Sequence, residues 1–141
     1  EVLDREGKGI DLATASRALK NLKKAGIATY VYLLFGTPSE TREAAQRTLD
    51  FTLAHAAEIG FLNLAIFNLP LSAPEAQTLE AHRLDDGDLS LYTGFRHPFE
   101  WDRSRVRRFL DREFKRQPAI QAILRRDPPF FTSNHAPFFS F

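Results

Sequence analysis

Four histidines, His55, His82, His97 and His135, are the side chains suited to proton transfer near neutral pH. No two stand at metal-ligand spacing, and none has a carboxylate at a motif distance. His55 falls on an expected helix and reads as a surface residue, and His97 precedes Pro98 in a loop. His135 lies in Ser133-Asn134-His135-Ala136-Pro137, a polar cluster inside an aromatic tail. Folded over a cleft, His135 would be placed for acid–base work or substrate binding; the alternative is a packed, hydrogen-bonded imidazole. Gly36 ends an apolar run and reads either as a strand end or as a point of close ligand approach. Glu40 closes Thr37-Pro38-Ser39-Glu40, a capping-box pattern, and a ligand role would come on top of capping. Asn68 comes after a second apolar run, as a turn-stabilising residue or at a ligand edge. No Ser-His-Asp order, P-loop or GxGxxG is present.

The elements that must position these residues are set by periodicity. Asp11 offers an N-cap to a helix over 11–25, with Leu12, Ala15, Leu19 and Leu22 on one face and Gly26 beyond its end. Ile27 to Phe35 is apolar at nearly every position, which predicts a strand buried on both faces, as in a parallel sheet. A helix from Thr37-Pro38 to about Ala57 and a strand from Phe61 to Phe67 complete a unit of βαβ size. Ser72-Ala73-Pro74-Glu75 predicts a short helix to about His82, Asp85 to Asp88 a turn, and Leu89 to Phe95 an edge strand. Asp102 or Ser104 begins a helix that buries Val106, Phe109, Leu110 and Phe114, and Pro118 to Arg126 gives another.

Composition narrows the function. The 141 residues carry a net charge of +1 and no cysteine, so this chain alone offers no disulfide, thiolate nucleophile or cluster ligand. No apolar run approaches the roughly 18 residues of a membrane span, and no secretory leader is visible, so a cytoplasmic location is expected. Arg103 to Arg116 holds seven basic residues against two acidic ones. That face reads as solvated, with a protein- or nucleic-acid-binding module as the alternative. Nucleic acid is not the expected partner, since no aromatic-interleaved basic stripe is present to stack bases. Absence of Met and a first residue of Glu suggest a piece of a longer protein.

The stretch Leu22-Lys23-Lys24-Ala25-Gly26-Ile27, then Tyr32-Leu33-Leu34-Phe35-Gly36-Thr37-Pro38-Ser39-Glu40-Thr41, resembles the later half of the barrel in radical S-adenosylmethionine (SAM) enzymes. There a "lkkaGI" helix end leads to a strand closed by "GxPxET". Val2-Leu3-Asp4 with Lys8-Gly9 resembles the segment after the fourth barrel strand, and the tail from Pro128 to Phe139 resembles the C-terminus of cobalamin-associated members. The resemblance implies an α/β fold. Residues 1–70 would form part of a TIM-like (β/α) barrel, helix-strand-helix-strand, and 71–141 a mostly helical C-terminal extension with a docked aromatic tail. It further implies SAM and a [4Fe–4S] cluster in the parent protein, with cobalamin as an option, acting on an unknown substrate. Leu34, Gly36 and Glu40 would lie by the adenosyl group, and Phe67, Asn68, Leu69 and Pro70 by adenine. No CxxxCxxC stands in this chain, so it would be inactive without the missing N-terminal half of the barrel. An isolated piece would self-associate through an unpaired strand edge.

Overall fold

A computed structural model describes residues 9–82 and 91–127. The first helix, α1 (Leu12–Lys24), begins at Asp11, whose carboxylate accepts from Thr14 N at 2.6 Å. It ends in a Schellman pair: Ile27 N donates to Leu22 O and Gly26 N to Lys23 O. Gly26 supplies the left-handed φ of 73° that this closure needs. No residue of α1 is buried among the described residues.

Strand β1 (Tyr30–Phe35), helix α2 (Arg42–Ala54) and strand β2 (Phe61–Ile66) form the expected βαβ unit. The strands pair in parallel from Tyr30↔Phe61 to Phe35↔Ile66. One face of this pair packs on the helices through Val31, Leu33, Phe35, Leu62, Leu64 and Ile66. The expectation that both faces of β1 are buried is corrected: Tyr32 is 59% and Leu34 49% exposed, because no described element covers their face. Helix α2 also starts later than Thr37-Pro38 predicts. Thr41 is its N-cap, its hydroxyl accepting from Ala44 N, and the helix stops at Ala54 rather than Ala57.

The next segment differs from the expected short helix and edge strand. Strands β3 (Leu69–Pro70), β4 (Ala81–His82) and β5 (Tyr92–Phe95) make an antiparallel sheet in the order β3-β5-β4, with only one helical turn, α3 (Glu75–Thr78), between β3 and β4. So β5 is central, not an edge. Strands of two to four residues carry too little pattern to register in the sequence.

Helix α4 (Arg103–Phe109) starts at Asp102, which accepts from Arg105 N, and runs into a π-helical turn, Leu110–Phe114. There Lys115 N reaches back five residues to Leu110 O. In continuous α geometry Phe114 would sit about 80° round from Val106; the wider turn swings it back to the core. Helix α5 (Pro118–Leu124) adds Ile120 and Ile123. Phe35, Phe109 and Phe114 meet pairwise at centroid distances of 5.4–6.2 Å. Each such contact adds about 0.5–1.5 kcal/mol beyond burial. The architecture is mixed α/β, and no closed barrel forms among the described residues.

Candidate functional site

A cleft of about 280 Å³ opens at the carboxyl ends of β1 and β2. It is lined by Gly36, Phe67, Asn68 and Leu69 at the strand ends and by Thr93, Phe95, His97, Trp101 and Arg103 from later in the chain. Ligands of parallel α/β sheets bind at this end, where loops leave the strands.

Two polar latches fix the cleft's floor. The buried Glu40 carboxylate accepts from Gly36 N at 2.5 Å and from Trp101 Nε1 at 2.8 Å. The expected capping box is therefore replaced by a bridge. Glu40 precedes the helix, and the Thr41 hydroxyl caps it instead, with Glu43 held below the usual carboxylate range by its own N–H and by Thr41. The second latch is His97, which is buried. Its Nδ1 accepts from Phe99 N and Trp101 N, so Nε2 carries the proton and donates to Thr37 O at 2.8 Å. With both nitrogens engaged, His97 holds a loop and offers no free lone pair for general-base work.

Gly36 has φ 77°, and a Cβ there would meet Val106 Cγ2 at 3.3 Å. Its demand is the turn plus the packing of α4. At the mouth, the Arg103 guanidinium donates to Asn68 Oδ1 and, at 3.5 Å, to Phe67 O. Phe67 and Phe95 stand edge to face, 6.0 Å apart.

The residues singled out in the sequence fall in different places. Gly36, Phe67, Asn68 and Leu69 line the cleft. Glu40 lies behind it, Leu34 sits on the open face of β1 beside Ala65, and Pro70 pairs with Tyr92 in the antiparallel sheet. His135 and the aromatic tail, the opening Val2-Leu3-Asp4 and the turn at 85–88 lie outside the described residues. His55 is buried against Phe51, not at the surface. Sequence reasoning did not find Thr93, Phe95, Trp101 and Arg103 as site residues, and read His97 only as a loop residue. The chain's single Trp was the one signal that could have pointed to them.

No group of three His, Asp or Glu side chains able to hold a metal occurs among the described residues. With no cysteine in the sequence, the chain's own residues do not fit a [4Fe–4S] cluster. Among the described residues, no helix is long and apolar enough to cross a membrane. No protein-family model matches the chain, and neither a curated protein nor a solved structure does.

Proposed function

We propose that this chain is the C-terminal part of a radical SAM enzyme, forming one wall of the cleft that receives the adenosyl group and substrate. The supporting observation is the cleft itself, at the carboxyl ends of two parallel strands and lined by Gly36, Phe67, Asn68 and Leu69. The open Tyr32–Leu34 face agrees with it, since parallel sheets are ordinarily covered on both sides. The chain's share is to bind and orient: Phe67 and Phe95 offer aromatic surface, and the Glu40 and His97 latches hold the loops rigid. Cluster binding and SAM cleavage belong to the N-terminal half of the barrel, and cobalamin, if used, to a domain further upstream.

The test is to read the gene upstream of Glu1 for a CxxxCxxC motif, then express the whole frame and reconstitute it anaerobically with iron, sulfide and SAM. Formation of 5′-deoxyadenosine, reduced by Asn68→Ala, is the expected result. A whole protein that lacks the motif, or one that loads a cluster and releases no 5′-deoxyadenosine, overturns the reading.

A second reading has its own observation. Arg108, Arg112 and Arg116 are exposed and form no ion pair among the described residues, while Val106, Phe109, Leu110 and Phe114 on the same segment are buried. A binding module would use this face against a polyanion such as nucleic acid, and its affinity would fall steeply with salt.

A further inference from the structure

We propose that the cleft carries an anion-recognition point, made by Arg103 and Asn68, for a ligand with a flat apolar body and a carboxylate or phosphate group. Several surface cations lack a carboxylate partner, but Arg103 is the Lys or Arg side chain among the described residues that lines the cleft. The side chains of Arg42, Arg96, Arg105 and Lys115 each meet a carboxylate, on Glu113, Glu80, Glu100 and Asp111 respectively. Arg103 meets only neutral oxygens, the Asn68 amide and the Phe67 carbonyl, and has no carboxylate partner among the described residues.

A guanidinium has five N–H donors in a planar fork. Both acceptors are met by Nη1, which leaves the Nε and Nη2 donors and the positive charge without a partner among the described residues. A carboxylate or phosphate matches that fork with two parallel, charge-assisted hydrogen bonds. The acid next to it in the cleft lining, Asp102, has one carboxylate oxygen committed to Arg105 N at the start of α4. It tempers the field at the mouth without pairing with Arg103.

The rest of the cleft sets the ligand's body. Ile66, Phe67 and Phe95 give an apolar, aromatic lining beside the charge. The Asn68 amide does the positioning. Its oxygen fixes the guanidinium across the mouth, so the arginine is ordered before the ligand arrives and less side-chain freedom is lost on binding. None of these contacts requires an adenosyl group, so the anion point stands or falls separately from the SAM reading.

The test uses the 141-residue chain and three small probes: phenylacetate, phenyl phosphate and the neutral benzyl alcohol. Binding is followed by NMR through the indole N–H resonance of Trp101, the single Trp and a wall of the cleft. Both anions are expected to shift that resonance saturably, and benzyl alcohol much less. Tighter phenyl phosphate assigns the ligand's group as a phosphate, tighter phenylacetate as a carboxylate.

Arg103→Gln should weaken the anions about tenfold or more, the usual effect of losing a hydrogen bond to a charged group. Asn68→Asp is the sharper variant, since it sets a carboxylate against the guanidinium and should abolish anion binding with Arg103 intact. Lys20→Gln, on the exposed face of α1, should change nothing. Equal binding of the neutral probe, no binding of any probe, or unchanged affinity in Asn68→Asp would overturn the proposal.

Discussion

The Glu40 carboxylate has one local and one distant donor, a glycine N–H four residues back and an indole N–H 61 residues away. Both donors meet one oxygen, Oε2, so Glu40→Gln keeps the shape and an acceptor for them but removes the charge that strengthens the two bonds. It should cost about 1–3 kcal/mol, read as a lower urea midpoint with an unchanged slope. Gly36→Ala should also destabilise, by roughly 1–2 kcal/mol for the left-handed φ alone, with crowding of Val106 in addition. Two acids should report opposite pH dependence. Asp11 is held below its usual value mainly by the Thr14 N–H, so its contribution is present above the ordinary carboxylate range and is lost on acidification. Burial raises Asp127, and its Oδ1 has no hydrogen-bond partner among the described residues. The folded chain therefore binds that proton more tightly, and stability falls as pH rises through the raised value. Asp127→Asn should gain stability at about pH 7 and lose that gain near pH 3, whereas Asp11→Ala should lose stability at about pH 7, with the loss shrinking near pH 3. Urea midpoints at the two values check both signs.

At the scale of elements, the periodic segments were legible and the aperiodic ones were not. Asp11, Leu12, Ala15, Leu19, Leu22 and Gly26 specify α1 locally, from cap to Schellman closure, and the observed helix departs from expectation by one residue at each end. Val106, Phe109, Leu110 and Phe114 likewise announced a buried face, although nothing in their spacing announced the π turn that lets all four share it. Phe114→Ala should cost about 3–5 kcal/mol, since the ring is wholly buried between Phe35 and Phe109 and the π turn would lose its reason to form. Thermal unfolding, with a matched Phe99→Ala control at an exposed ring, separates that loss from a generic effect. The start of α2 was misread because Thr37-Pro38-Ser39-Glu40 satisfies the local capping rule while a distant Trp claims its carboxylate. A local pattern cannot report a partner 61 residues off. The same physics hid half the cleft: Thr93, Phe95 and Arg103 become neighbours of Gly36 and Asn68 only through tertiary folding.

For the whole molecule, the decisive feature is that the parallel pair is covered on one side. Tyr32 and Leu34 face outward beside Asn63 and Ala65. Two parallel strands do not normally stand as an isolated sheet. The chain by itself should therefore self-associate with concentration, and Leu34→Lys should shift sedimentation toward the monomer without lowering the unfolding midpoint. A monomer at high concentration in the unmodified chain would count against an uncovered interface. Addition of the proposed N-terminal barrel half should suppress the same association by occupying that face.

The two latches have a kinetic consequence. Glu40 with Trp101, and Thr37 with His97, join loops 61 and 60 residues apart, so each must close a long loop of chain before it returns any energy. The entropy of closing 61 residues is on the order of 4 kcal/mol, only about 0.6 kcal/mol more than for the β1–β2 pairing at half that separation, but that pairing returns a six-residue ladder where each latch returns a bond or two. The order of assembly should reflect this: β1, α2 and β2 come together first, and the cleft is completed after the rate-limiting step. Trp101→Phe removes one latch donor while keeping an aromatic ring in the core. It should accelerate unfolding in stopped-flow measurements and leave refolding nearly unchanged, so that the cleft is the part of the molecule that forms last and opens first.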